Sequence, residues 1–239
     1  MAGEFIYEGA FKSKFPNGVD LSLVGVNGKT SGFLQDSDSA NSIPAIVLKG
    51  ESYGYLQVAE QMFPDRDLNQ GYSFFQTQGF NISTTFKADK SSDESEVILS
   101  IGKYQNDALY TGYEITLSSV TVKIGTASTI TCKLPQNQLL TVDLDVYLGD
   151  DNMWYFKIFL NGVLSAVTRV NQDDIDWKFG QDIYLGCRND AGTLSKFSDV
   201  SFYDVKLYTS SQSEYAIVQN YMAAMEQASL VNGVVDSTL

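Results

Sequence analysis

Residues 142–170 read VDLDVYLGDDNMWYFKIFLNGVLSAVTRV. Val142, Leu144, Val146 and Leu148 alternate with Asp143, Asp145 and Tyr147. After Gly149-Asp150-Asp151-Asn152, the apolar set Trp154, Phe156, Ile158 and Leu160 alternates with Tyr155, Lys157 and Phe159. Successive side chains of a strand point to opposite faces, so period two places each apolar set on one face. Asn161-Gly162 follows at once, and this dipeptide suits a type I′ hairpin turn, which needs positive φ at both central residues. Val163–Val170 is the return strand. Three antiparallel strands with one apolar face need a second sheet to cover it.

The same grammar extends outward. Phe80, Ile82, Thr84 and Phe86 alternate, a charged loop occupies Lys87–Glu96, and Val97–Ile101 is an apolar run ending at Gly102. Tyr113, Ile115 and Leu117 lie on odd positions while Val120, Val122 and Ile124 lie on even ones. That flip across Ser118-Ser119 is the mark of a tight turn between antiparallel strands. Further strands are read at Asp182–Cys187 and Ser198–Tyr208. One helix is predicted: Ser211-Gln212-Ser213-Glu214 has the form of a capping box with Ser211 as N-cap, and Tyr215, Val218, Met222 and Met225 repeat at helical spacing. The expectation is an all-β, two-sheet antiparallel β-sandwich with one short C-terminal helix. It forms a single domain over 1–226, and 227–239 is a tail or linker to a further domain.

Composition excludes several chemistries. The 239 residues carry 16 Lys+Arg against 29 Asp+Glu, a net charge of −13, with no histidine and two cysteines. Without histidine there is no Ser-His-Asp triad, Cys-His dyad or His-based metal site. Cys132 and Cys187 lie in strand-like runs and are read as reduced, buried thiols. An acidic surface repels phosphate backbones and anionic lipid, so neither nucleic acid nor membrane insertion is expected. Residues 1–7 lack a signal-peptide pattern, and no apolar run reaches the roughly 18 residues of a membrane span.

Four stretches in order resemble the concanavalin A-like jelly roll, in its laminin-G-like branch. They are Ile46–Val58, Phe80–Lys87, the hairpin Phe156–Leu164, and the closing strand Tyr203–Tyr208 with the capped segment after it. The likeness spans residues 20–225 and implies the sandwich. Its matching residues are strand and turn formers, so it speaks for scaffold rather than activity. Relatives of this branch are common in extracellular and phage tail proteins, and they often hold one structural Ca²⁺ through an Asp on the closing strand, where Asp204 matches.

Three site chemistries are weighed. Glycosidases of this fold place E-x-D-x-x-E on one strand, with carboxylates about 5–5.5 Å apart for a retaining mechanism. Asp174-Ile175-Asp176-Trp177-Lys178-Phe179 offers Asp174 and Asp176 on one side but puts Lys178, and no Glu, beyond them, and Glu94-Ser95-Glu96 sits in a polar loop. Calcium needs several oxygen ligands and no histidine. Asp65, Asp67 and Asn69 supply oxygens at alternate positions before Gly71, without the acid that closes an EF-hand loop. Sugar recognition needs an aromatic platform with amides and carboxylates around it. Trp177 with Asp174 and Asp176 is one candidate, Tyr53 and Tyr55 are another, and Asn189 and Asp190, in the loop after Cys187, supply polar contacts.

The expected function is a non-catalytic carbohydrate-recognition or adhesion module of a phage tail or baseplate receptor-binding protein. Its partners are cell-surface or wall polysaccharide and other structural proteins of the assembly, and the reading allows a homo-oligomer. Its location is the virion tail or extracellular surface, reached without a signal peptide, and otherwise the cytoplasm. The alternatives are a structural interaction domain within a larger assembly and a divergent glycoside hydrolase.

Overall fold

The computed structural model describes residues 3–4, 22–24, 46–56, 79–89, 91, 93–136, 138–175, 182–208 and 210–232. Within them lie sixteen strands and one α-helix. They are β1 (Gly3–Glu4), β2 (Ser22–Val24), β3 (Ile46–Leu48), β4 (Tyr53–Leu56), β5 (Gly79–Ala88), β6 (Val97–Gln105), β7 (Ala108–Thr116) and β8 (Ser119–Ile124). There follow β9 (Ser128–Lys133), β10 (Leu140–Leu148), β11 (Met153–Leu160), β12 (Val163–Asn171), β13 (Ile183–Leu185), β14 (Arg188–Asp190), β15 (Thr193–Ser195), β16 (Val200–Tyr208) and helix α1 (Glu214–Asn232).

Two 7-stranded antiparallel sheets form the sandwich, as expected. The first runs β1-β16-β5-β10-β11-β12, with β3 also on β16, and the second runs β2-β4-β13-β6-β7-β8-β9. The quoted stretch builds β10, β11 and β12, with Val142 opposite Leu160 and Val146 opposite Phe156. Asn161 and Gly162 have φ of 51° and 76°, as the type I′ turn requires. Side chains from both inner faces fill the core: Phe80, Ile82, Phe86, Val142, Leu144, Phe156 and Ile158 from one, Leu99, Ile115, Val120, Val122 and Ile183 from the other. Trp154 joins this core. Cys132 and Cys187 are free and buried.

Three local readings change. The helix N-cap is Ser213, not Ser211: the Ser213 hydroxyl accepts the Ala216 amide at 3.2 Å. The Ser211 hydroxyl instead donates to Asp145 at 2.7 Å, so a side chain under the helix competes successfully for it. Glu214, rather than reaching back to the cap, meets Lys157 at 3.2 Å. The Asn189 and Asp190 loop is a two-stranded hairpin, β14–β15, turning at Ala191 and Gly192 with φ of 49° and 96°. Finally, α1 continues to Asn232, past the expected start of the tail.

The outer face of the first sheet holds a surprise. Asp143 and Asp145, which alternation assigns to solvent, are 0% and 2% exposed. They stand among Asn81, Ser83, Thr85 and Thr141, all buried. Asp145 accepts from the Ser211 hydroxyl and from the Gln212 amide, each at 2.7 Å, and from Asn81 at 3.3 Å. This carboxylate anchors the entry to α1.

Candidate functional site

On β4, Gly54 and Leu56 turn into the sandwich, so Tyr53 and Tyr55 stand on the outer face of the second sheet. On β13, Ile183 and Leu185 are core, which sends Tyr184 outward, directly opposite Tyr55 in register. The three rings form a triangle. Centroids lie 6.1 Å apart for Tyr55–Tyr184 and 6.3 Å for both Tyr53–Tyr55 and Tyr53–Tyr184, with planes inclined by 24–33°. Phe197 extends the group, 6.5 Å from Tyr53. All three tyrosines are half-buried. This is a broad aromatic floor with its hydroxyls as polar tips. The floor continues along the sheet row into Ser100, Glu114, Thr121 and Thr131.

The β14–β15 hairpin borders this floor. Asn189 accepts the Gly192 amide at 2.8 Å, which fixes its side chain, and its amide group sits at the Tyr184 hydroxyl. Burial raises the pKa of Tyr184, and the Asp182 carboxylate adds to the rise while Asn189 opposes it. Burial likewise raises that of Tyr53.

Arg188 pins the hairpin down. Its Nε and Nη2 reach the two Glu114 oxygens at 3.0 and 3.1 Å, and its Nη1 reaches the Asp107 carbonyl at 3.0 Å and carboxylate at 2.9 Å. Its guanidinium lies 4.6 Å above the Tyr104 ring, whose hydroxyl donates to Glu114 at 2.8 Å. Arg188 and Glu114 are each 6% exposed, so the fork-on-fork geometry and the extra donors must offset two desolvated charges.

The structure thus brings together Tyr53, Tyr55 and Asn189, with Asp190 on the same hairpin strand. Tyr184 and Phe197 are additions. The signal for Tyr184 was present in the sequence, as a tyrosine flanked by Ile183 and Leu185 in a predicted strand; Phe197 lies between strands, where alternation is silent.

Asp174 is not part of this group. It occupies an exposed turn over Gln172–Asp174 capped by Asn171, following edge strand β12 of the first sheet. Strand β12 packs beside β9, at the opposite edge of the second sheet from β4. Asp176 and Trp177 lie outside the described residues. So do Asp65, Asp67 and Asn69. Asp204, the remaining metal candidate, is paired with the Lys206 ammonium. Among the described residues, no three Asp, Glu or Cys side chains converge where a metal ion would sit. Glu94 and Glu96 belong to a turn in which Glu96 accepts from Ser91 and Glu94 from Gln136.

No protein-family model and no curated protein matches the chain. Solved structures do match in fold. One is the binding domain of botulinum neurotoxin DC in complex with rat synaptotagmin II, with TM-score 0.60, 12% identity, and coverage of 93% of this chain and 51% of that one. Another, from a study of botulinum neurotoxin type C cell entry through two ganglioside molecules, has TM-score 0.60, 13% identity, and coverage of 93% and 50%. The DC binding domain in complex with SialylT has TM-score 0.61, 11% identity, and coverage of 93% and 51%. The chain spans about half the length of these proteins, and at such identity the likeness is one of fold: this chain has the β-sandwich architecture found within toxin receptor-binding domains.

Proposed function

We propose that this chain is a non-catalytic carbohydrate-recognition module built on a concanavalin A-like, laminin-G-like jelly roll. The carrying observation is the triangle of Tyr53, Tyr55 and Tyr184 beside Asn189. The apolar face of a pyranose covers a tyrosine ring, and an amide with neighbouring hydroxyls takes the sugar hydroxyls around it. The fold neighbours, binding domains studied with synaptotagmin, ganglioside or SialylT, agree with a binding rather than a catalytic role. The biological setting we propose is adhesion to cell-surface or wall polysaccharide by a phage tail or baseplate protein, at the virion tail or extracellular surface. Asp190, Trp177 and Asp176 are assigned to sugar contact, and a structural Ca²⁺ to Asp65, Asp67 and Asn69.

A glycan array with calorimetric follow-up tests the reading. Wild type binds a subset of glycans; Tyr184→Ala abolishes binding, and Tyr215→Ala, on the exposed side of α1, leaves it intact. Binding that survives in both Tyr184→Ala and Tyr55→Ala contradicts it.

A second reading, a structural interaction domain, is favoured by one observation. Val163, Leu164 and Val167 on β12 and Tyr215 and Met222 on α1 are large apolar side chains left exposed. If light scattering shows an oligomer that Val167→Asp dissociates, this reading gains ground.

A further inference from the structure

The edge of the sandwich opposite the tyrosine floor carries a surface of its own. Strand β12 borders β11 on one side and, among the described residues, no strand on the other. A bare strand edge offers a row of backbone donors and acceptors, and natural sequences usually guard it with charge, proline or a bulge. Here Val163–Asn171 holds one charged residue, Arg169, and no proline. Its bulge lies near one end, between the pairs Ile158 with Ala166 and Phe159 with Leu164, and the strand is regular from Ala166 to Asn171. Val167 lies opposite Lys157 and Leu164 opposite Phe159, on the face that carries α1. Val163, Leu164 and Val167 are 66%, 42% and 52% exposed, so nothing covers this strand.

Helix α1 extends the surface. A side chain at Gly162, in the β11–β12 turn, would meet Val218 and Tyr221, so the helix passes beside the Val163 end of β12. Tyr215 and Met222 share a helix stripe with Val218 and stand exposed.

Charge and shape point to the occupant. The edge strands on this side, β9 and β12, contain no Asp or Glu in a chain that has 29. Asp151 is paired with Arg169, and Asp173 and Asp174 lie in the turn beyond the end of β12. Two copies of net charge −13 repel, and an acid-free edge lowers the cost of bringing them together. Antiparallel pairing about a two-fold axis at Val167 sets Val167 against its own copy and holds the two Arg169 positions four residues apart, roughly 13 Å. It also lays the Val163 end of one strand, with the α1 stripe beside it, against the Asn171 end of the other.

We infer that this chain forms a two-fold dimer in which β12 pairs edge to edge with β12 of a second copy, joining the two first sheets into one. The interaction-domain reading thereby gains a partner, another copy of the chain, and sugar binding is not required for it. The axis stands perpendicular to the joined sheet, so both second sheets lie on the same side of it and their tyrosine floors face the same way. Where the carbohydrate reading holds, the dimer engages a polysaccharide surface at two points.

Sedimentation equilibrium of the 239-residue chain over roughly 1–200 µM, at low and high salt, reads the association. The dimer forms with a Kd in the micromolar range, as suits a small interface, and tightens as salt screens the like net charges. Val167→Asp sets two carboxylates on the axis and weakens the dimer about tenfold or more. Tyr110→Asp, at an exposed position of β7, leaves it intact. Oxidised Val167→Cys gives a disulfide-linked dimer, since facing residues of antiparallel strands have Cα atoms about 4.5–5.5 Å apart. Wild type, whose Cys132 and Cys187 are buried, and Tyr110→Cys give none. A chain that stays monomeric throughout overturns the inference and leaves β12 to a different protein, with the interaction-domain reading standing. A dimer that survives Val167→Asp, or in which Val167→Cys does not cross-link, overturns the β12 pairing.

Discussion

Tyr184 shows how much one side chain settles. Its neighbours in the strand are core, its ring faces Tyr55 across the pair, and its hydroxyl meets Asn189. Removing it opens the centre of the floor while leaving Ile183 and Leu185 in place, so Tyr184→Ala is expected to lose sugar binding with a stability cost of about 1 kcal/mol, as for a half-buried site. Asp143 is the opposite case, a charged residue buried where sequence predicts solvent. Burial is the main cause that pushes its carboxyl up from 3.8 to about 7; the Ser83 hydroxyl and Lys206 pull it back, while Asp145 and Asp204 push it further. Because the folded chain binds this proton more tightly than the unfolded one, the stability linked to Asp143 is full below about pH 4 and is lost as pH rises through about 7. Asp143→Asn is therefore expected to raise stability at pH 8 by on the order of 2–4 kcal/mol and to flatten the profile between those limits. Urea unfolding of both forms across that range checks this. A variant no more stable than wild type at pH 8 contradicts it.

At the scale of elements, the sequence announces strands well and their anchors poorly. The period-two runs give β5, β7, β8, β10, β11 and β12 because apolar side chains recur at alternate positions along each, and Asn161-Gly162 gives the hairpin because few residues tolerate its backbone. The β14–β15 hairpin escapes such reading: three-residue strands have no period, and what holds them is Arg188 reaching Glu114 and Asp107, 74 and 81 residues away. Arg188→Met leaves Glu114 buried and unpaired, so a loss of about 3–5 kcal/mol is expected, together with weaker sugar binding because Asn189 loses its fixed position. Thermal unfolding and titration measure the two effects; a variant that melts and binds like wild type refutes the anchoring role. The helix start is similar. Ser211 looks like an N-cap in sequence, yet Asp145 takes its hydroxyl and Ser213 does the capping. Asp145→Ala should free the first turn of α1 at a cost of about 2–3 kcal/mol, read as faster amide exchange over residues 211–217.

For the molecule as a whole, two sheets bury a shared core, and this much follows from alternation and turn chemistry. Cutting a side chain at its centre, as in Phe156→Ala, is expected to cost about 3–5 kcal/mol, since the site is fully enclosed. What alternation does not convey is coverage of an outer face. The polar residues of β5 and β10 read as solvent-facing, yet they are buried where α1 and the chain leading into it are tied to the sheet. Nor does it convey which aromatics of different strands meet. Tyr53 and Tyr55 were legible as candidates because they share a face of one strand; their convergence with Tyr184 depends on β4 pairing with β13, a contact spanning more than 120 residues. The lack of histidine, at first only an exclusion, fits a surface whose chemistry is carried by hydroxyls, amides and rings.

The most direct measurement is to map where a sugar binds. With an oligosaccharide identified by array, amide and aromatic chemical-shift changes on titration are predicted to cluster at Tyr53, Tyr55, Tyr184, Asn189 and Phe197. Changes that cluster instead along β12 and α1, with the tyrosine signals unmoved, would contradict the account.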